Sequence, residues 1–431
     1  MQKPRFSKLK DWLSWQESLH GKEIDLGLER IRIVYERMGI EWGETRFITV
    51  GGTNGKGSTI AFLNEAYKVS GYKVGQFTSP HFLRYNERIQ INSQPIDDAS
   101  LCDIFAVIDA ARDDVSLSYF EFSTLAALSF FAQQQADVVL MEVGLGGRLD
   151  ASNLIDADCS IVTSIGIDHR DWLGDSREEI GFEKAGIYRK GKPAICGDLG
   201  VPSTVPKHAE AIAAQWWGYG QQFSVEQADD SWNLRFGDKK VEHLPYPSML
   251  APIQLNNAAC AVLAIQLLPL PVPQESISQA IRTAALQGRM QTLSSDSQCD
   301  VVVDVAHNED AAKSIVSAVH KHYADRSVYL VLGMLADKEV AATLAVLQQL
   351  KPYYYLATPD SPRALSSTDL GLRVEKVGGD IVVVAKTVAE AYRQACQTAQ
   401  QEPRSSKALV LVVGSFFTVA EVMGLSDRAG V

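Results

Sequence analysis

Short apolar runs rich in β-branched residues alternate along the chain with longer segments of helical character. Residues 47–50, 138–143 and 160–164 show this strand pattern. Between the first two runs, residues 119–132 are apolar and long enough for a buried helix. Apolar strands separated by helices are typical of a parallel sheet covered on both faces. The pattern therefore predicts an α/β domain in the first part of the chain.

The alternation of apolar strands and helices changes further along the chain. Residues 201–242 are more polar and predict one or two peripheral antiparallel strands, and helical character returns at 254–267 and 273–285. A second α/β series follows a polar, loop-like stretch at 287–297, where we place a boundary that gives domains 1–296 and 297–431. Its predicted strands are 301–305, 328–332, 353–357, 381–384 and 408–413, separated by helices at 310–322, 337–350 and 388–400.

Composition narrows the class of protein. A length of 431 residues suggests two or three domains, and 46% hydrophobic with 22% charged residues is typical of a soluble globular protein. The net charge of −11 argues against a general nucleic-acid binder. Six scattered cysteines without a C-x-x-C pair predict reduced thiols and no zinc site. Without an apparent signal peptide or membrane span, we expect a cytoplasmic protein.

The most informative motif is Gly52-Thr53-Asn54-Gly55-Lys56-Gly57-Ser58, between a predicted strand and a predicted helix. Glycines there let successive backbone N–H groups face an anion, and the helix dipole favours negative charge. Lys56 can reach terminal phosphates, and Ser58 can offer its hydroxyl to Mg²⁺. Because Gly57 separates the two, an ordinary kinase or GTPase is disfavoured. The alternative is a glycine-rich hairpin with a solvated lysine.

Two further strand ends carry candidate metal ligands. Glu142 closes a very apolar strand, where a carboxylate needs a partner. A magnesium ion shared with nucleotide phosphates would supply one, and an ion pair with Arg148 is the alternative. His169 follows the next strand as a candidate ligand that Asp168 can orient, although a lone histidine is more often structural.

The remaining clusters are weaker. In the loop 78–81, Ser79 can ligate a metal, and Arg84 or Arg88 beyond it can face an anion. Taken alone, Lys184 is a helix-surface lysine. Near the domain boundary, Arg289 can meet phosphates and Asp304 a ribose hydroxyl. The alternative there is an N-cap at Asn308 beside a structural His307.

In this order, the clusters resemble the folylpolyglutamate synthase/dihydrofolate synthase family of the Mur ligase superfamily. The matching stretches run from about residue 25 to about residue 310, and residues 24–30 resemble the bifunctional bacterial enzymes. The resemblance implies an α/β protein with an N-terminal P-loop-type ATP-binding domain and a smaller, Rossmann-like C-terminal domain.

The resemblance also implies roles for individual residues. It places ATP on residues 53–58, with Lys56, His169, Lys184 and His307 as catalytic residues and a carbamylated Lys184 beside two Mg²⁺ ions. The implied nucleotide contacts are Thr53, Asn54, Gly55, Lys56, Gly57, Ser58, Asn257, Arg289 and Asp304. The implied metal ligands are Ser58, Ser79, Glu142 and His169. The implied substrate contacts are Asp25, Ser118, Tyr119, Phe120, Glu121, Leu149, Asp150 and Ala151.

The implied reaction is an ATP-dependent ligation. L-Glutamate is added to dihydropteroate, giving dihydrofolate, and to folylglutamates, giving folylpolyglutamates, through an acyl phosphate. The alternatives are a Mur-type ligase for cell-wall precursors, a monofunctional folylpolyglutamate synthase and a nucleotide-driven switch without ligase activity. The expected partners are dihydropteroate, reduced folates and L-glutamate, with no nucleic acid or membrane, and the expected state is a monomer.

Overall fold

The computed structural model describes residues 4–22, 24–296, 298–401 and 407–429 of the chain. The chain divides into two compact units. The first comprises Met1–Ser248 and Leu255–Ala284, and the second comprises Met249–Gln254 and Ala285–Val431. The division after Ala284 lies earlier than the predicted boundary near residue 296.

The first unit is built on a sheet whose strands run mostly parallel. Along the sheet the strand order is β4-β3-β2-β5-β1-β6-β7-β8, and the β2–β3 and β3–β4 pairs at one edge are antiparallel. The strands are β1 (Arg46–Gly51), β2 (Val74–Phe77), β3 (Ile89–Ile91), β4 (Gln94–Pro95), β5 (Val138–Glu142), β6 (Cys159–Val162), β7 (Pro193–Cys196) and β8 (Gln215–Gly218).

A small antiparallel sheet in the polar tract belongs to the same unit. Its strands are β9 (Phe223–Gln227), β10 (Trp232–Phe236) and β11 (Lys239–Leu244), with β10 in the middle. This confirms the peripheral antiparallel strands predicted between residues 201 and 242.

Helices cover both faces of the large sheet. One core lies between the sheet and the first helices of the unit and includes Trp12, Phe105 and Phe122. The other includes Val162 and Ile180 on the opposite side. The helices are α1 (Leu9–Leu19), α2 (Glu29–Met38), α3 (Lys56–Val69), α4 (Asp98–Arg112), α5 (Tyr119–Gln133), α6 (Arg170–Leu173), α7 (Arg177–Ala185), α8 (Thr204–Ala211), α9 (Ile253–Leu267) and α10 (Gln274–Thr283).

The second unit has its own sheet, in the order β12-β13-β17-β14-β15-β16. All its pairs are parallel except β12 with β13. Its strands are β12 (Gln291–Ser295), β13 (Cys299–Val303), β14 (Arg326–Leu332), β15 (Tyr353–Leu356), β16 (Asp380–Val384) and β17 (Lys407–Val413). Its helices are α11 (Glu309–His322), α12 (Val340–Leu347), α13 (Ser367–Lys376), α14 (Val388–Ala399) and α15 (Phe416–Ala429).

Strand β12 corrects the prediction of a loop at 287–297. Its sequence, QTLSS, is polar, and it lies at the sheet edge with β13 as its neighbour. An edge strand is half solvated and needs no apolar run, so its composition resembles that of a loop.

The register of the first sheet sets the position of the site. Val50 of β1 lies beside Glu142 of β5, and Gly51 lies beside Val162 of β6. The segments that follow these three strands therefore leave the sheet at one edge. The carboxyl ends of parallel strands are where α/β proteins bind ligands.

Candidate active site

The phosphate-binding loop between β1 and α3 depends on two glycines in left-handed conformations. Gly52 has φ +141° and Gly55 has φ +92°. A Cβ atom on Gly52 would lie 2.0 Å from Thr163 Oγ1, and one on Gly55 would lie 2.4 Å from Asn257 Oδ1. Both positions therefore require glycine for conformation and for space. The second contact places Asn257 of α9 directly against the loop.

The loop is fixed by the segment that follows β6. The Thr53 N–H donates to Ser164 O at 2.8 Å, and the Asn54 N–H donates to Ser164 Oγ at 3.0 Å. Thr163 Oγ1 donates to Asn54 O at 2.6 Å. Sequence reasoning missed both hydroxyl residues, although their position immediately after a strand adjacent to β1 was the available signal.

Helix α3 begins at Lys56. The Lys56 ammonium group donates to Gly52 O at 3.0 Å and to Thr53 O at 3.4 Å, both within the loop. Ser58 is 1% exposed, and its hydroxyl has no hydrogen-bond partner among the described residues. A buried hydroxyl in the first turn of a helix that follows a phosphate loop fits the predicted cation ligand.

Glu142 ends β5 on the same edge and is 6% exposed. Its Oε2 accepts a hydrogen bond from the Ser79 N–H at 3.0 Å. Arg148, the alternative ion-pair partner, instead contacts Glu183 at 2.9 Å. The structure therefore brings together Glu142 and Ser79, two of the predicted metal ligands.

Asp168 and His169 lie in the segment between β6 and α6. His169 has φ +53°, and its N–H donates to Asp168 Oδ1 at 2.8 Å. The imidazole Nε2 lies 3.9 Å from Asp168 Oδ2, which is an ion-pair distance rather than a hydrogen bond. Across the described ranges, no group of three or more His, Cys, Asp or Glu side chains could hold a metal ion by itself. A cation here would also need oxygen ligands from hydroxyls, phosphates or water.

Lys184 in α7 is buried, which overturns its interpretation as a surface lysine. Its side chain is 4% exposed. The pKa of Lys184 is lowered to about 7, mainly by burial and also by the charge of Lys56, while the charges of Asp168 and Asp150 oppose the shift. Near neutral pH, a large fraction of the amine is therefore uncharged and nucleophilic.

The glycine-rich segment after β5 is shaped by Asp150. The buried carboxylate accepts from Leu145 N at 2.8 Å and from Ser152 N at 2.9 Å, so it spans the segment and caps the short helix Ala151–Leu154. Burial raises the pKa of Asp150. Asp150 remains a predicted substrate contact, and its carboxylate bonds within its own segment.

The segment between α1 and α2, together with the first turn of α2, contains or contacts three of the predicted substrate residues. Arg30 Nη1 lies 2.6 Å from Asp25 Oδ2, and Arg30 Nη2 lies 3.2 Å from Glu121 Oε1. The Gly27 N–H donates to Leu149 O at 3.1 Å. The structure thus gathers Asp25, Glu121 and Leu149. Arg30 joins the two carboxylates but was not itself predicted as a site residue.

The first turn of α5 holds the other predicted substrate residues. Ser118 and Glu121 form a capping box, in which the Ser118 N–H donates to Glu121 Oε2 at 2.8 Å. The Phe120 ring packs against Gly144, where a Cβ atom would lie 2.7 Å from the ring. The Tyr119 ring lies 5.7 Å from that of Tyr85.

In the second unit, the predicted nucleotide residues are Arg289, just before β12, and Asp304, just after β13. Asp304 is buried and accepts from Met290 N at 2.8 Å and from Ala306 N at 2.9 Å. Burial raises the pKa of Asp304, and the nearby Arg289 charge opposes the shift. The Arg289 guanidinium lies 5.7 Å from the centre of the Phe416 ring.

His307 and Asn308 lie three and four residues after Asp304 in the same segment. His307 Nδ1 lies 2.8 Å from Val305 O, which fixes the ring and favours the tautomer with its proton on Nδ1. Asn308 Oδ1 accepts from Ala311 N at 3.0 Å, so Asn308 is the N-cap of α11. The helix N-cap at Asn308, which the sequence analysis gave as the alternative to a nucleotide site, is therefore present.

Comparison with known proteins identifies the family. Residues 288–416 match the family "Mur ligase, glutamate ligase domain". Over 421 residues the chain is 42% identical to dihydrofolate synthase/folylpolyglutamate synthase of Escherichia coli (strain K12), covering 98% of this chain and 96% of that protein. The chain belongs to the dihydrofolate synthase/folylpolyglutamate synthase family.

Solved structures of this family confirm the fold. E. coli FolC in complex with DHPP and ADP matches with a TM-score of 0.92 and 40% identity, covering 100% of both chains. A bifunctional folylpolyglutamate synthase/dihydrofolate synthase with Mn, AMPPNP and L-glutamate bound matches with a TM-score of 0.88 and 39% identity, covering 99% of both chains. The predicted resemblance and the α/β fold class are thus confirmed, whereas the individual site residues remain predictions.

The sequence has no apolar run long enough to predict a membrane span. Among the described residues, no helix combines the length and the apolar character needed to cross a bilayer.

Proposed function

We propose that this protein is an ATP-dependent ligase that adds L-glutamate to dihydropteroate, giving dihydrofolate, and to folylglutamates, giving folylpolyglutamates. The observation that carries the proposal is the register of β1 and β5, which puts Glu142 beside Val50, at the start of the phosphate loop. The family relatives named above, with ADP, AMPPNP, Mn and L-glutamate in their structures, support the same reaction.

In this proposal, residues 53–58 and Asn257 bind the triphosphate of ATP, and Arg289 and Asp304 of the second unit contact the nucleotide. Ser58, Ser79, Glu142 and His169 are the proposed ligands of two Mg²⁺ ions, which would act as Lewis acids on the phosphates. The buried and partly neutral amine of Lys184 favours carbamylation, because only an uncharged amine can attack CO₂. A carbamate at Lys184 would carry the negative charge that a cation site requires.

The chemistry requires activation because a free carboxylate is a poor electrophile. A carboxylate oxygen of the pteroyl substrate attacks the γ-phosphorus of ATP, the bond to ADP breaks, and an acyl phosphate forms. The α-amino group of glutamate then attacks the acyl carbon, phosphate leaves, and the amine loses a proton. Lys56 would neutralise charge on the transferred phosphoryl group. His307, with Nδ1 directed at Val305 O, would offer Nε2 as the proton acceptor.

The pteroyl substrate would bind near Asp25, the first turn of α5 and residues 149–151. The Arg30 bridge between Asp25 and Glu121 supports this placement, because it fixes two carboxylates that can accept hydrogen bonds from a pterin. We further propose that the protein acts as a cytoplasmic monomer on small molecules, without nucleic-acid or membrane partners.

The deciding experiment measures ADP release with dihydropteroate and with a reduced folate, each with and without L-glutamate. We expect glutamate-dependent ADP release with both acceptors. Activity with the reduced folate alone would indicate a monofunctional folylpolyglutamate synthase. Slow ATP hydrolysis at a rate that does not depend on glutamate would indicate a nucleotide switch. Activity only with a UDP-linked peptide as the acceptor would indicate a Mur-type ligase.

A further inference from the structure

Arg88 lies in an aromatic cage beside the predicted active-site edge. Its guanidinium carbon lies 5.7 Å from the centre of the Tyr85 ring and 5.6 Å from that of the Tyr119 ring. Its Nε–H donates to His81 Nδ1 at 2.8 Å. Because Nδ1 accepts this bond, it carries no proton of its own. The cage of His81, Tyr85 and Tyr119 therefore holds the cation through π-faces and one neutral acceptor.

The cage itself is rigidly built. The Tyr85 hydroxyl donates to Ser123 Oγ at 2.7 Å, and Ser123 Oγ donates to Tyr119 O at 2.8 Å. The rings of Tyr85 and Tyr119 meet edge to face at 89°. The position of the Arg88 side chain is therefore set by α5 and by the loop after β2, not by solvent.

The charge of Arg88 has no acidic counterpart in the described part of the chain. An arginine has five N–H donors, and for Arg88 only Nε–H has a hydrogen-bond acceptor among the described residues. Arg84 in the same loop differs sharply, because it is 67% exposed and forms an ion pair with Asp98 at 2.8 Å. A partly buried, fixed guanidinium without a carboxylate is a ready site for a planar anion.

The surroundings identify which anion is relevant. The Thr78 N–H donates to Arg88 O at 3.0 Å, and the next residue, Ser79, bonds to Glu142. The guanidinium group of Arg88 packs against Tyr119, which is a predicted substrate residue. Arg88 therefore lies between the predicted metal ligands and the predicted pteroyl contacts, where the carboxylate end of the substrate must come if the proposed function is right.

We propose that Arg88 binds the α-carboxylate of the terminal glutamate of a folylglutamate substrate. This inference rests on the proposed function. A folylglutamate brings two carboxylates to the site, of which the γ-carboxylate is phosphorylated and then becomes an amide. The α-carboxylate keeps its charge throughout, so a fixed cation stabilises its binding without engaging the reacting oxygen. Dihydropteroate has no such group, and Arg88 therefore distinguishes the two activities.

The test compares Arg88→Gln, Arg88→Lys and the matched control Arg84→Gln in glutamate-dependent ADP release. A charge-assisted hydrogen bond contributes enough that the Arg88→Gln variant should raise KM for a reduced folate monoglutamate about 10- to 100-fold. Its KM for dihydropteroate and its kcat with either acceptor should change less than about threefold. Arg88→Lys should give an intermediate KM for the folate, and Arg84→Gln should behave as wild type.

A reduced folate whose α-carboxylate is replaced by an amide sharpens the test. Wild type should show the same rise in KM with this analogue, whereas Arg88→Gln should no longer distinguish the analogue from the parent folate. Retained activity on dihydropteroate shows that a variant is folded. If Arg88→Gln does not fold, the KM values of Arg88→Lys for the folate and for dihydropteroate decide the test. An equal loss with both acceptors, or an unchanged KM for the folate, would overturn the proposal. Wild type inactive with both acceptors would instead refute the proposed function.

Discussion

The polar edges of the two sheets are built differently. At the carboxyl edge of the first sheet, the described residues leave the buried Ser58 and Thr59 hydroxyls without partners and bury the Lys184 amine. At the corresponding edge of the second sheet, the Asp304 carboxylate accepts two backbone N–H groups and Asn308 caps a helix. The first edge keeps hydrogen-bonding capacity available for ligands, whereas the second uses much of its capacity to shape the protein.

This difference separates the expected effects of mutations. Substitutions of Lys56 or Ser58 at the first edge should remove activity and leave stability nearly unchanged. Substitutions at the second edge should lower stability as well, because they break internal hydrogen bonds. Activity and melting temperature measured on the same variants therefore test the comparison.

The largest expected effect is that of Lys56→Ala. We expect kcat for glutamate-dependent ADP release to fall at least about 10³-fold, because a cation at the transferred phosphoryl group is lost. The melting temperature should stay within a few degrees of wild type, since the Lys56 ammonium group donates to two carbonyls of its own loop. Normal turnover by the folded variant would refute the assignment of the phosphate loop.

Glu142→Gln should be nearly as severe. We expect a loss of about 10²- to 10³-fold in kcat that millimolar Mg²⁺ partly restores, because an amide oxygen is a weaker cation ligand than a carboxylate. Chelation of divalent metal should abolish the activity of wild type. A variant with the magnesium dependence of wild type would show that Glu142 is not a ligand. Glu183→Gln, which removes the carboxylate paired with the exposed Arg148, is the matched control.

Lys184 should make stability depend on pH. Its pKa is lowered from 10.5 to about 7 in the folded protein, so the unfolded chain binds more protons between these values. The associated stability is present above pH 10.5 and is lost as the pH falls to about 7. Between pH 7 and 9 in CO₂-depleted buffer, wild type should gain up to about 1.4 kcal/mol per pH unit relative to Lys184→Met.

Urea denaturation at several pH values measures this difference. Identical pH profiles for wild type and Lys184→Met would contradict the burial of a titrating amine. Bicarbonate should flatten the profile of wild type alone if the amine is carbamylated.

The smallest expected changes in the free energy of unfolding are those of two matched variants, one at each sheet edge. Ser58→Ala removes a buried hydroxyl without a described partner and should change the free energy of unfolding by less than about 0.5 kcal/mol, while activity falls. Asn308→Ala removes the N-cap of α11 and should destabilise the protein by about 1 kcal/mol. If Ser58→Ala lowered the free energy of unfolding more than Asn308→Ala in denaturation experiments, the proposed difference between the two sheet edges would be wrong.

The predicted fold was mostly confirmed because its strongest signals are physical ones. The apolar runs of β1, β5 and β6 are buried on both faces of a sheet, and such strands have few other interpretations. Strand β12 was missed because an edge strand does not need to be apolar. Helices α1 and α2 were not predicted, although α1 buries Trp12, because their apolar stripes are short and interrupted.

The candidate site was less predictable, because burial and contacts decide what a side chain does. Lys184 reads as a surface residue until its burial is known, and the sequence does not reveal that the Asp150 carboxylate bonds to Leu145 and Ser152. Arg84 and Arg88 were equivalent in the sequence. The structure separates them by the presence of Asp98 beside one and an aromatic cage around the other.

The bonds of Asp150 have a consequence for interpreting natural variation. Its carboxylate ties Leu145 to Ser152, so a replacement would release the glycine-rich segment after β5 that Phe120 packs against. Natural variants altered at this position would then lose the shape of that segment. An inhibitor designed to touch that carboxylate would find it already engaged, whereas the neighbouring backbone would offer a more dependable target.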